Sequence, residues 1–221
     1  MEGIPVPGKK RYIQTYPPVD MGFEVRKFMT VDIDRLRHWY SELEENYVDW
    51  KFVYSKHKHM WREEPGDLSG ETGHVFMDDT SWYTLCYNGS EKGPLPPERG
   101  QAKKEYQDVD EDLLYPREIF NGYALELVNN LPIRSKRWLV TIHTPGTRLI
   151  EHQDSPDKIR IHIPIYTNDE SMWVINNNEY HLEPGYAYVI NTSLPHSVYN
   201  RGKSDRIHLY GKIWIEEANK L

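Results

Sequence analysis

The sequence predicts an α+β chain in which helices come first and pack on the outside of a closed double β-sheet of the jelly-roll type. Three observations predict it. Helical periodicity occurs only before residue 134, β-type alternation dominates after it, and the C-terminal stretch breaks into eight short strands with tight turns and no helix between them. At 221 residues the chain is long enough for one substantial core. Residues 1–133 therefore read as a helical and loop region completing a single domain, whose jelly-roll core is 134–221.

Residues 1–22 carry Pro5, Pro7, Pro17 and Pro18 with little periodicity. They predict an extended lead-in with an edge strand around Tyr12 to Thr15, since proline's missing N–H is tolerated at a sheet edge. Thr30 can cap a helix in which Ile33, Leu36, Tyr40 and Leu43 recur at helical spacing while Asp34, Arg37, Glu44 and Glu45 face water. The segment 51–73 holds His57 and His59 among charged residues and glycines. A His-x-His pair can bind metal, but on so polar a stretch a solvated loop is the plainer reading. Val75 to Met77 and Trp82 to Tyr87 read as short strands joined through Asp78-Asp79-Thr80.

Residues 88–112, rich in glycine, proline and charge, form either a lid that recognises substrate or a loose insertion. Pro116 suits the first turn of a second helix, with Ile119, Phe120, Tyr123, Leu127 and Val128 as its apolar stripe ending before Pro132. The predicted strands are then Arg137 to His143, Thr147 to His152, Ile159 to Tyr166, Met172 to Ile175, Glu179 to Leu182, Tyr186 to Asn191, Ser197 to Asn200 and Arg206 to Glu216. Between them lie Pro145-Gly146, Asp154 to Asp157, Asn168-Asp169, Asn176 to Asn178, Pro184-Gly185 and Gly202.

Composition narrows the function classes. With 27 basic and 34 acidic residues, spread rather than blocked, the net charge is -7, which argues against nucleic acid or an anionic membrane as the main partner. Cys86 is the only cysteine, so no intramolecular disulfide forms. Without an apolar leader or a segment of membrane-spanning length, the expectation is a soluble, cytoplasmic protein; the oligomeric state is left open. Aromatics make up 13%, with 16 tyrosines and 7 tryptophans. Among them Trp82, Tyr83 and Trp173 are candidates to line a pocket, although core packing explains each as simply.

Chemistry gathers in the C-terminal strands. His152 and Asp154, two apart on an extended chain, project from one face, and His196 supplies a third ligand. Two histidines and a carboxylate are the facial triad suited to non-haem Fe(II), because they leave the opposite coordination positions open. His-x-Asp alone arises readily by chance in a chain with 10 histidines, so its neighbours matter. Arg160, His162 and Pro164 share one strand face and Ile159, Ile161, Ile163 and Ile165 the other. A cation and an imidazole turned into a barrel call for an anion. Arg206 does the same, its planar fork matching a carboxylate, although a structural ion pair with a glutamate would satisfy it too.

Read in order, Thr141, Pro145-Gly146-Thr147, His152-x-Asp154, Arg160-x-His162-x-Pro164, Thr167-Asn168, Gly185, Asn191, His196, Asn200 and Asp205-Arg206-Ile207-His208-Leu209 resemble the aspartyl/asparaginyl β-hydroxylase family. This is a family of Fe(II)- and 2-oxoglutarate-dependent dioxygenases that includes bacterial free-proline hydroxylases. The resemblance covers the C-terminal stretch and implies a double-stranded β-helix of cupin-like form. It further implies that His152, Asp154 and His196 hold the iron, and that Arg206 pairs with the distal carboxylate of 2-oxoglutarate beside the hydroxyl of Thr141, where the family often has serine. His162 would lie near the metal-proximal carboxylate and Arg160 near the cosubstrate or a substrate carboxylate. The animal aspartyl hydroxylases have glycine where Asp154 stands, so this chain sits nearer the prokaryotic and viral-type members.

The implied reaction uses O2 and 2-oxoglutarate to hydroxylate an amino-acid side chain, free or in a peptide or protein. Two alternatives use the same residues differently. A cupin-type metal-dependent hydrolase or isomerase would share the three ligands but leave Arg206 without a role, and a non-catalytic jelly-roll binding module would keep the histidines as structure.

Overall fold

The computed structural model describes residues 4–5, 12–13, 17–48, 51–54, 80–87, 115–154 and 159–221. A two-stranded ribbon, β1 (Ile4–Pro5) with β2 (Tyr12–Ile13), precedes β3 (Val25–Thr30) and helix α1 (Ile33–Asn46). Then come β4 (Lys51–Tyr54), β5 (Thr80–Thr84), β6 (Cys86–Tyr87), β7 (Tyr115–Pro116) and helix α2 (Gly122–Asn129). The C-terminal strands are β8 (Ser135–His143), β9 (Arg148–His152), β10 (Ile159–Tyr166), β11 (Ser171–Ile175), β12 (Asn178–Tyr180), β13 (Tyr186–Ile190), β14 (His196–Asn200) and β15 (Arg206–Ile213). A short helix, α3 (Ile215–Ala218), closes the chain.

Two antiparallel sheets hold the core. One runs β3-β13-β10-β15-β8-β5-β4 and the other β12-β11-β14-β9. From β8 onward the chain crosses between the sheets at nearly every step, only β11 and β12 following one another within one sheet as a hairpin. That winding defines a double-stranded β-helix, the closed double sheet predicted from strand count. The hairpin turns through Asn176 and Asn177 at φ 48° and 68°, the left-handed pair that a two-residue loop requires.

Strand β10, inside the larger sheet, is buried on both faces, which divides its side chains by chemistry. Ile159, Ile161, Ile163 and Ile165 of β10 pack outward with Leu36, Trp39, Tyr40 and Leu43 of α1 and Ala124 and Leu127 of α2. A smaller core between the sheets joins Trp173, Ile175, Leu182, Tyr188, Ile190 and Val198. The helices thus cover the outside, and Arg160 and His162 are left to the interior. No helix among the described residues is long and apolar enough to cross a membrane.

Several sequence expectations shift. Helix α1 is capped by Asp32, whose side chain accepts from the Arg35 backbone N–H at 3.1 Å; Thr30 instead pairs with Tyr186 at the end of β3. Glu44 is half-buried, because the Tyr83 hydroxyl donates to it at 2.7 Å and Lys51 at 3.0 Å. Pro116 belongs to β7, opposite Cys86, and α2 starts only at Gly122, which has φ +51°. The last strand stops at Ile213, so Glu216 is helical. The edge strand expected near Tyr12 pairs only with β1. The expected strand Val75 to Met77 and the segments 57–73 and 88–112 lie outside the described residues.

One irregularity shapes the barrel wall. Leu139 pairs with Tyr210 and Lys136 with Lys212, so Arg137 and Trp138 together face Gly211 alone. This is a β-bulge, and Arg137 adopts φ 54° to make it. Trp138 lies over Gly211 so closely that an added Cβ would stand 2.8 Å from two of its ring carbons. Gly211→Ala is therefore expected to destabilise the protein by about 1–3 kcal/mol through overpacking. A lower urea midpoint with an unchanged m-value would register it.

Candidate metal and anion site

Strand register brings the two predicted histidine ligands together. His152 ends β9 and His196 begins β14, and the two residues pair across the sheet. Their rings stand 4.2 Å apart between centroids, inclined by 54°, and both are buried. His196 Nδ1 lies 2.9 Å from the carbonyl oxygen of Leu194. A carbonyl only accepts, so Nδ1 carries the proton and Nε2 the lone pair. Burial, reinforced by the adjacent His152, pushes the His196 pKa down to about 4. The ring is neutral at physiological pH, as a metal ligand must be.

Backbone bonds fix the segment that follows. The Asp154 N–H donates to the Thr192 carbonyl at 2.9 Å and the Gln153 side-chain amide to that of Ser193 at 2.9 Å. These bonds staple the His152–Asp154 segment to the turn leading into His196. An N-terminal strap is buckled to the same turn: Ser193 Oγ accepts from the Val19 N–H at 2.9 Å, and Asn191 Nδ2 donates to the Val19 carbonyl at 2.8 Å.

Asp154 is buried, and its Oδ2 accepts from both Nε and Nη2 of Arg160 at 2.8 Å. The sequence reading sets Arg160 against a cosubstrate or substrate carboxylate; the structure turns it onto Asp154, six residues away in the chain. The anion demanded by Arg160 is thus internal. Among the described residues no three His, Cys, Asp or Glu side chains converge as a complete metal-binding group. The geometry supplies a histidine pair with a carboxylate held beside it by an arginine.

Arg206 lies deeper in the barrel, only 2% exposed. Its Nη1 donates to His143 Nδ1 at 3.2 Å and its Nη2 to His208 Nδ1 at 3.0 Å. A guanidinium has no acceptor, so both imidazoles accept through Nδ1 and carry their proton on Nε2. Burial and the neighbouring Arg206 charge keep both histidines well below the usual imidazole range. Burial also lowers the Arg206 pKa, and no carboxylate among the described residues pairs with it. The glutamate partner allowed by the sequence is not found.

Around this guanidinium are further polar atoms without partners among the described residues: the donors His208 Nε2 and Trp173 Nε1, and the two ring nitrogens of His162, one a donor and one an acceptor because burial keeps that imidazole neutral. His162 packs 4.9 Å from Trp173, 4.9 Å from Tyr210 and 5.6 Å from His208, centroid to centroid. Each unmet buried polar group costs about 1–3 kcal/mol. Grouped around one buried cation, they create a strong demand for an acceptor-rich anion. Thr141 stands opposite His208, and its hydroxyl reaches the His208 carbonyl only at 3.5 Å, the outer limit of a hydrogen bond.

Sequence reasoning passed over His143 and His208. The signal was present in the period of two: His143 follows Thr141, and His208 follows Arg206, on the same strand faces. Of the three aromatic candidates, Tyr83 is core and binds Glu44, Trp82 pairs with Thr141 across β5 and β8, and Trp173 lies beside the Arg206 guanidinium.

Residues 121–215 match the model of the family described as aspartyl/asparaginyl beta-hydroxylase, which bears out the resemblance seen in the motifs. No curated protein matches the chain. A solved prolyl-4-hydroxylase from Pseudomonas putida is similar at 15% identity and a TM-score of 0.42, over 86% of this chain and 92% of that one. A cupin-like protein from Thermotoga maritima is similar at 12% identity and a TM-score of 0.37, over 66% of this chain and 77% of that one. The fold assignment rests on the strand order given above, not on these distant likenesses.

Proposed function

We propose, from the hydroxylase-family match over residues 121–215, that this protein is an Fe(II)- and 2-oxoglutarate-dependent dioxygenase hydroxylating an amino-acid side chain, free or within a peptide or protein. The observation that carries the proposal is Arg206, a guanidinium buried without a carboxylate partner among the described residues and surrounded by unmet donors. A dicarboxylate cosubstrate is the anion that such a grouping suits.

Two histidines and a carboxylate are the donor types that suit Fe(II), and the pairing of His152 with His196 supports the reading. His152, Asp154 and His196 would hold the iron, Arg206 the distal carboxylate with Thr141 nearby, and His162 the end nearer the metal. Bound there, Fe(II) would activate O2, the oxidant, with two of its four electrons coming from 2-oxoglutarate as it is converted to succinate and carbon dioxide and two from the substrate C–H, so that one oxygen atom enters succinate and the other the new hydroxyl. The chain's own contribution is orientation. The Leu194 carbonyl sets the tautomer of His196, and Arg160 fixes Asp154, which is compatible with ligation because a metal-bound carboxylate commonly accepts a hydrogen bond as well. The buried position of the histidine pair excludes bulk water from the reacting centre.

Anaerobic addition of Fe(II) and 2-oxoglutarate should give the weak metal-to-ligand absorption of a bound keto acid, and succinate release above the uncoupled baseline, across free amino acids and short peptides, should then identify the substrate. Absence of both the absorption and 2-oxoglutarate-dependent succinate would overturn the proposal.

A further inference from the structure

Trp173 touches both ends of the site. Its ring lies 5.6 Å from that of His196 at 30°, near parallel, and the Arg206 guanidinium carbon lies 5.8 Å from the same ring. His162 meets it edge-on at 4.9 Å. One indole therefore spans the distance between the histidine pair and the buried cation. The side chain is 5% exposed, and its Nε1–H has no partner among the described residues. Indole nitrogen can only donate, and a buried tryptophan N–H ordinarily finds an acceptor.

Packing alone does not account for a tryptophan here. Of the buried residues that share the inter-sheet core with it, Ile175, Leu182, Ile190 and Val198 are aliphatic and Tyr188 has its hydroxyl paired with the Glu183 backbone, and a phenylalanine or leucine would fill apolar space without leaving a buried donor unmet. The residue supplies two things that an apolar side chain cannot: a fixed planar wall and a donor beside the buried cation.

Resting on the dioxygenase reading above, we propose that Trp173 determines keto-acid specificity: its indole walls the slot between His196 and Arg206, donates through Nε1–H to the bound 2-oxo acid, and sets the slot length to exclude the homologue one methylene longer. Trp173 is thus a binding residue for the cosubstrate, distinct from the metal ligands and from the Arg206 anchor.

The test uses metal-free protein, so that binding is read apart from turnover. Titration calorimetry with 2-oxoglutarate and with 2-oxoadipate is run on the wild type, Trp173→Phe and Trp173→Leu, with the wild-type-minus-Trp173→Phe difference in emission reporting on this one indole. Trp173→Phe keeps the ring and loses the donor; its 2-oxoglutarate affinity should fall about 3- to 10-fold, in line with one hydrogen bond, and the ligand-dependent emission change should disappear. Trp173→Leu should shift the preference toward 2-oxoadipate by about 10-fold or more, the worth of a methylene accommodated in an enlarged pocket. Unchanged affinity and preference in Trp173→Phe, the variant that conserves packing, would overturn the inference while leaving the dioxygenase reading standing. Failure of the wild type to bind either keto acid, with or without Fe(II), would overturn both.

Discussion

Arg206→Met should lose about 2–5 kcal/mol of 2-oxoglutarate binding, roughly 30-fold to several thousand-fold in affinity, because truncating one member of a buried, hydrogen-bonded charge pair costs that much. The apo protein should respond quite differently. Its guanidinium is buried among neutral imidazoles, at 3.2 Å from His143 and 3.0 Å from His208, so removing the charge relieves a desolvation penalty even as it forfeits two hydrogen bonds. The thermal midpoint of ligand-free Arg206→Met should therefore stay close to that of the wild type while the stabilisation conferred by 2-oxoglutarate disappears. Arg206→Lys should not rescue binding, since a single ammonium cannot reproduce the fork that engages both histidines and a carboxylate. If Arg206→Met bound 2-oxoglutarate as tightly as the wild type, the anchor would have to lie elsewhere.

His196→Ala should abolish the Fe(II)-dependent absorption and reduce hydroxylation below detection. The residue contributes both an imidazole directed at the His152 ring and the tautomer set by Leu194, and the histidine pair cannot form without it. Arg160→Lys provides the graded comparison. It keeps a cation near Asp154 but replaces two bonds to one carboxylate oxygen with a mobile ammonium, and losses of about 10–100-fold in metal affinity are usual for such outer partners. Equilibrium Fe(II) or Co(II) titration separates the two cases. Equal metal affinity in the wild type and His196→Ala would remove His196 from the metal site.

The eight C-terminal strands were legible because each pairs β-branched or aromatic residues with a turn of definite chemistry. Asn176-Asn177 and Pro184-Gly185 punctuate the chain whatever lies around them. Strand β3 was not legible: Val-Arg-Lys-Phe-Met-Thr has no alternation, and its place at the sheet edge comes from pairing with β13, more than a hundred residues on. The start of α2 was misplaced because Pro116 fits a first helical turn locally, while pairing with Cys86 takes it into a strand.

In the site, residue types and spacing indicated His152, His196 and the need for an anion near Arg160 and Arg206. They could not indicate that Arg160 pairs with Asp154 whereas Arg206, among the described residues, donates its hydrogen bonds to imidazoles. That distinction depends on how two strands are staggered, which no local pattern encodes.

The strap at Val19 has a kinetic consequence. Its bond to Ser193 closes a loop of 174 positions, among the most non-local contacts in the described structure. A chain made from its N-terminus cannot form that bond until Ser193 exists, when only β14 and β15 of the strands given above are still to come, and contacts of such long sequence separation slow folding. The turn that presents His196 is thus clasped late, after the whole stretch between Val19 and Ser193 has been made.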